Sequence, residues 1–262
     1  MSLRIRLSDP QGHTRWVSVF PDAAAAARHA ADLVEETLRA EPGANLILPA
    51  GGTPVPIFRE LVRRSDQEEL DLSQAHLFQL DEVEGVNVDD QRSFHAFLRR
   101  SLLDELDRSE KLDHLLDGCA SDPAQEIEHH AARLAELGGA QLSLLGLGIN
   151  GHIGYNEPGS LREDAARRVE LGESTIDSLR PLFRDRPVPV RGITLGVKEI
   201  RASRRICVVV TGASKAEILA RILYSEPCAE LPATWLADHP DIHWIVDQPA
   251  AAKLEQTSST TG

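Results

Sequence analysis

The sequence predicts an α/β fold built on a mostly parallel sheet, and two observations carry that prediction. Short β-rich runs alternate with stretches of helical periodicity along most of the chain, the order expected of βαβ units. Glycine-rich turns follow two of the strands, at Gly51-Gly52-Thr53 and across 146–157, as loops at the carboxyl edge of a parallel sheet do. With 262 residues, 42% of them hydrophobic, there is enough apolar material for a sizeable core. No internal repeat and no long linker divides the chain, so 1–254 reads as one domain and 255–262 as a disordered tail.

The elements follow in order. Residues 3–7 and 16–20 read as a small N-terminal β-hairpin around Asp9-Pro10-Gln11-Gly12. Asp22 is placed to cap an alanine-rich helix that runs to about Ala40, where Pro42-Gly43 stops it. A compact strand at 46–48 enters the first glycine turn, and 55–64 shows helical spacing. Strand 76–80 precedes Asp81, helices follow at 93–106 and 123–137, and strand 142–147 leads into the second glycine turn. Strand 206–210, helix 214–223 and strand 242–246 close the set. The polar stretch 163–188, with Pro181 and Pro187, reads as a candidate mobile segment over a site.

Composition excludes several roles. The 28 Lys+Arg against 41 Asp+Glu give a formal charge of −13, which disfavours broad contact with nucleic acid or anionic lipid. No apolar run reaches the ~18 residues of a membrane span, and the N-terminus lacks a signal peptide's hydrophobic region, so the expected place is the cytoplasm. Cys119, Cys207 and Cys228 are odd in number and widely spaced, against a disulfide framework or a zinc ribbon. His76, His129, His130, His239 and His243 show no metal-binding spacing, and no metal is expected. There is no GxSxG, no Walker loop and no GxGxxG, hence no expected cofactor.

Four loops at strand ends carry the residues that could do chemistry. Gly51, Gly52 and Thr53 open a helix, so backbone amides and a hydroxyl can face an anion, although a tight turn with a capping threonine has the same spelling. Lys215, at the start of a helix, is a cation within reach of the same anion, or else a solvated lysine. Asp81 and Glu82 end an apolar strand, where a buried carboxylate has its pKa raised and can act as a general base; capping the next turn is the plainer role. In Gly148-Ile149-Asn150-Gly151-His152-Ile153-Gly154-Tyr155-Asn156-Glu157-Pro158, glycines allow close approach of backbone to a ligand, and one loop holds both an imidazole and a carboxylate.

Taken together, LPAGGTP, QLDEVEG, LGLGINGHIGYNEPG, VTGASKA and PATWLADHP resemble, in this order and spacing, the glucosamine-6-phosphate deaminases of the isomerase and 6-phosphogluconolactonase superfamily. The likeness spans about 46–254, and GHIGYNEP is its most specific part, because the lactonase branch typically reads GHTASLFP there. The resemblance implies a Rossmann-like, three-layer fold and conversion, without a cofactor, of glucosamine 6-phosphate and water into fructose 6-phosphate and ammonia. It implies Asp81 as the base that moves a proton from C2 to C1 through an enediol-type intermediate, His152 as the residue that opens the ring at O5, and Glu157 as the carboxylate that orients it. Asn150 belongs to the same loop. Gly51, Gly52, Thr53, Lys215 and Arg180 match the phosphate-binding set, and Glu82, Gly146 and Gly148 fall among the sugar-lining positions.

The chain departs from the family pattern at four places. Asn150 stands where many members have Asp, and an amide carries no charge to tune the histidine. Val83 replaces an aromatic residue and Ala50 a small hydroxyl residue, both candidates for altered sugar preference. Glu170 occupies a place where allosteric hexameric members have lysine, so activation by N-acetylglucosamine 6-phosphate is expected to be weak or absent. The expected partner is a small sugar phosphate, and since the family runs from monomers to hexamers a homo-oligomer is compatible with the pattern. A galactosamine-6-phosphate deaminase, a 6-phosphogluconolactonase and a non-catalytic sugar-phosphate-binding paralogue are the alternatives.

Overall fold

The computed structural model describes residues 3–8 and 14–254; the expected hairpin turn 9–12 and the expected tail 255–262 lie outside the described residues. The chain opens with β1 (Leu3–Ser8) and β2 (Thr14–Phe20), an antiparallel pair. α1 (Ala23–Ala40) follows, capped as its sequence predicts: the Asp22 carboxylate accepts the Ala25 N–H at 2.7 Å. Next come β3 (Asn45–Leu48), α2 (Val55–Asp66), β4 (His76–Gln79), β5 (Asp81–Val83) and α3 (Phe94–Ser101). β6 (Asp113–His114), α4 (Pro123–Glu136), β7 (Leu142–Leu145), β8 (Arg167–Glu170) and α5 (Glu173–Leu179) form the middle of the chain. β9 (Arg191–Thr194), α6 (Val197–Arg201), β10 (Arg205–Val210), α7 (Ala216–Tyr224) and β11 (Ile242–Asp247) complete it.

Eight strands form one sheet in the order β1-β2-β11-β10-β7-β3-β4-β6, parallel throughout except at the β1–β2 pair. The hairpin is therefore part of the main sheet, since β2 runs parallel to β11. Alternation along a strand sends neighbours to opposite faces. On β10, Ile206, Val208 and Val210 join one core with Leu219, Ile222 and Leu223 of α7, while Cys207 and Val209 join the other with Ala27, Leu33 and Val34 of α1. The outcome is helices on both faces of a sheet, the three-layer arrangement the resemblance implies.

A second, three-stranded antiparallel sheet, β5-β9-β8, is a feature the sequence reading does not contain. Leu80 is the junction: its N–H donates to Leu48 O in the large sheet and its C=O accepts the Leu195 N–H beside the small one. Asp81 and Glu82 thus begin a strand instead of ending one. The helix expected over 93–106 stops at Ser101 and is followed by a 3-10 turn, and Lys215 ends a 3-10 turn before α7. The stretch 163–188 holds β8 and α5. The three cysteines are free, and among the described residues no helix is long and apolar enough to cross a membrane.

A cluster of neutral histidines lies at the β4–β6 edge. His76 Nδ1 is 2.9 Å from His114 Nε2, His114 stacks on Phe78, and the buried His130 ring nitrogen Nε2 lies 2.8 Å from Gln79 O. Burial pushes the His114 and His130 imidazoles down to about 4, with the neighbouring His76 adding to the shift at His114. Both are lowered from the ordinary 6.5, so the folded protein refuses protons that the unfolded chain takes up. Their contribution to stability is present above pH 6.5 and lost as the pH falls from 6.5 towards 4. Thermal melts across that window are expected to show a falling Tm, and His114→Phe is expected to flatten the fall.

Candidate active site

The loops at the carboxyl ends of the parallel strands enclose a cavity of about 570 Å³. Gly51, Gly52, Thr53, Asp81, Gly146, Gly148, His152 and Lys215 all line it.

Part of the lining gathers groups of the kind that can face an anion. Gly51 has φ +109°, a conformation that favours glycine, and lets the chain leave β3 and turn at once into α2. No side chain caps α2, and since Pro54 and Pro56 carry no N–H, the positive end of its dipole and the N–H of Val55 are what its start offers the cavity, with Thr53 beside them. Lys215 points its Nζ at Leu147 O, 2.6 Å away, and burial lowers its pKa. Arg92 and Arg100 also line the cavity. Asp90 and Asp185 hold Arg92, whereas Arg100 lies over the Phe97 ring with no carboxylate partner among the described residues. Neither arginine carries a mark in the sequence: Arg92 sits in a polar turn and Arg100 on an amphipathic helix, and only the folded chain brings them to the wall. Arg180 is placed elsewhere: it is absent from the lining, its side chain is 65% exposed, and its Nε binds Asp177 at 2.7 Å. Asp177 lies one helical turn before it, a pairing that i,i+3 spacing favours.

The middle of the cavity holds Asp81, 6% exposed at the junction between the sheets. Burial, reinforced by the negative charge of Glu82, pushes its carboxyl up to about 8. Glu82 does not reach the cavity. It is fully buried and accepts four hydrogen bonds, which corrects the expectation that it contacts sugar: successive strand residues face opposite ways. Val83 is likewise in a core, with Val86, Tyr155 and Phe183, so it does not touch a ligand, whereas Ala50 lines the cavity.

The same cavity is also lined by the imidazole of His152. Gly148 makes room for it, since a Cβ there would lie 2.3 Å from His152 Cδ2. His152 Nδ1 is 3.1 Å from Thr175 Oγ1 and 3.5 Å from Glu157 Oε2, the second an ion-pair distance and too long for a good hydrogen bond. Asn150 bridges the group: its Nδ2 donates to Glu157 Oε2 at 2.8 Å and its Oδ1 accepts the His152 N–H at 3.1 Å. Burial drives the Glu157 carboxyl up, but His152, Thr175 and Asn150 outweigh it and hold the group at about 2, ionised at neutral pH. Thr175 is the member of this set that the sequence reading missed, because it sits on α5 in the polar stretch 163–188, where no spelling points to the histidine.

A model of the family described as glucosamine-6-phosphate isomerases/6-phosphogluconolactonase matches residues 21–244. The chain belongs to that family. It is 37% identical over 242 residues to the glucosamine-6-phosphate deaminase of Rhodopirellula baltica, covering 92% of this chain and 96% of that protein. The glucosamine-6-phosphate deaminase of Bacillus velezensis is 35% identical, with 85% of this chain and 92% of the relative covered. A solved structure described as a monomeric glucosamine-6-phosphate deaminase superposes with a TM-score of 0.87 at 30% identity, over 90% of this chain and 99% of that one. The 6-phosphogluconolactonase of Trypanosoma brucei shares the fold, with a TM-score of 0.69 at 21% identity over 91% and 98% of the two chains. In this family member Glu170 is an exposed β8 residue, 3.9 Å from Arg191 Nε.

Proposed function

We propose that this protein is a cytoplasmic enzyme that converts glucosamine 6-phosphate and water into fructose 6-phosphate and ammonia. The observation that carries the reading is the lining of one cavity by a carboxyl raised to about 8 and an imidazole held beside an ionised carboxylate, with an uncapped helix start and a half-buried lysine in the same lining. The phosphate anchor sits on Gly51, Gly52, Thr53 and Lys215 and holds the sugar by its far end, so the reacting carbons are oriented before any bond breaks. As the C1–O5 bond breaks, O5 takes a proton from His152 and the O1 hydroxyl returns one to it, leaving an aldehyde at C1; Thr175 and Glu157 keep the imidazole aimed, and Asn150 holds Glu157. Asp81 takes the proton from C2 while O1 takes one from solvent, giving an enolamine. Asp81 returns its proton to C1, leaving a C2 iminium; water adds to C2, a proton passes from the added oxygen to nitrogen, and ammonia departs, leaving the ketone of fructose 6-phosphate.

A base of this kind works only when ionised. Below about 8 Asp81 is protonated in the free enzyme, so kcat/KM is expected to climb with pH through that value; a profile flat from pH 6 to 9 would contradict the assignment. Lys215→Met is expected to raise KM about tenfold or more with a smaller change in kcat, because the anchor acts on ground and transition states alike. An unchanged KM would remove Lys215 from the anchor. The reaction course is tested by following glucosamine 6-phosphate in heavy water by NMR. Fructose 6-phosphate that keeps part of the C2 hydrogen at C1 supports one shielded base carrying the proton between the two carbons, and product with only solvent deuterium there would count against it. Galactosamine 6-phosphate, run beside it, shows how far Ala50 broadens the choice of sugar.

A further inference from the structure

We propose that Glu82 is a positioning residue that, from behind the cavity wall, ties the strand carrying Asp81 to the start of α3, the helix that brings Phe97 and Arg100 to that wall. The inference rests on the reading of Asp81 as the base. Glu82 Oε1 accepts the N–H groups of Val83 at 2.8 Å and Phe94 at 2.9 Å, and Oε2 accepts the His95 N–H at 2.7 Å and the Gln79 amide at 3.0 Å. Two of these donors are the first amides of α3, so the carboxylate sits at the positive end of the helix. The same Gln79 amide donates to the Asp81 carbonyl at 2.8 Å, and Gln79 Oε1 accepts the Leu116 N–H at 3.0 Å. One glutamine and one glutamate therefore lock β5, α3 and the loop after β6 together around the base. Gly118 closes this assembly: a Cβ there would lie 2.2 Å from Val83 O and 3.3 Å from Glu82 Cγ.

Four donors converging on one carboxylate are the geometry of an ionised group. Burial raises the Glu82 carboxyl more than these donors lower it, and the balance stands at about 7. Its charge is the second cause, after burial, of the raised Asp81 carboxyl. The other titratable groups facing this pair are Cys119 from the loop after β6 and Tyr155 from the 148–158 loop, while α3 offers the His95 backbone N–H with its ring turned to Leu116 O, and β9 pairs through the neutral Ile193 and Thr194. Glu82 thus fixes where Asp81 stands and helps to set the pH at which it ionises.

Two variants separate tether from charge. In Glu82→Gln an amide N–H2 meets backbone N–H groups and the charge is gone. The expected result is a loss in kcat of about 30-fold or more, KM and the Kd for inorganic phosphate within about threefold of wild type, and an acid limb of kcat/KM moved to lower pH. Glu82→Asp keeps the charge but not the reach, so it is expected to lose kcat while its acid limb stays in place. A KM and phosphate Kd that rise with kcat preserved would make Glu82 a substrate ligand and overturn the proposal. Variants that merely melt earlier, with folded enzyme turning over at wild-type kcat and with a wild-type acid limb, would overturn it as well. Both results presuppose an active wild type. A wild type that binds inorganic phosphate but releases no ammonia would remove the reading of Asp81, and this inference with it.

Discussion

Asp81→Asn is expected to lower kcat by about a thousandfold or more while leaving the Kd for inorganic phosphate within about threefold of the wild-type value. The side chains are nearly the same size, so the cavity wall and the β5–β9 pairing with Thr194 persist. What disappears is the site's proton acceptor beside C2, which no neighbour can replace: Glu82 is turned away and saturated, and Glu157 is absent from the cavity lining and held at about 2 by its own partners. The phosphate end is built from α2, Thr53 and Lys215, none of which touches the substituted group in the folded chain. Steady-state rates with calorimetric phosphate binding check both halves. A variant that keeps more than about a tenth of the wild-type kcat would show that the base is elsewhere.

Gly148→Ala is the second large effect. The new methyl would stand 2.3 to 2.5 Å from three atoms of the His152 ring, closer than any real contact, so the imidazole must swing away. The movement takes Nδ1 from Thr175 and away from Glu157, and a displacement of about 1 Å in a catalytic group costs on the order of a hundredfold. The glycine lies in a loop, not in a strand or helix, so the fold is expected to survive and the loss to appear in kcat. The decisive comparison is with Gly52→Ala. A Cβ at that position meets nothing within 4 Å, and any effect there should fall on substrate binding. Equal kcat for Gly148→Ala and wild type would mean that His152 takes no part in the rate-limiting chemistry.

The large sheet was legible because its strands are apolar on both sides, which spells continuous runs such as those at 46–48 and 206–210. The small sheet was not. β5, β8 and β9 are three or four residues long, spelled DEV, RRVE and RGIT, and their pairing is fixed by long-range contacts that no local pattern announces. That is why Asp81 reads as a strand end and Glu82 as its partner in the site. Only the pleat, seen in place, sends one into the cavity and the other behind it. The glycines at 51 and 148 and the histidine loop were legible because a turn and a close approach require those residue types. Thr175 and Arg100 were not, since a threonine or an arginine on a polar helix carries no mark until the helix is packed.

Ammonia release from the purified protein tests the central claim most directly, with glucosamine 6-phosphate, galactosamine 6-phosphate and 6-phosphogluconolactone assayed side by side. Ammonia and fructose 6-phosphate are expected in equal amounts from the glucosamine ester, with no acceleration of lactone hydrolysis. Lactone hydrolysis without ammonia from either amino sugar would contradict it, because the cavity would then serve ester hydrolysis and the roles given to Asp81 and His152 would be wrong.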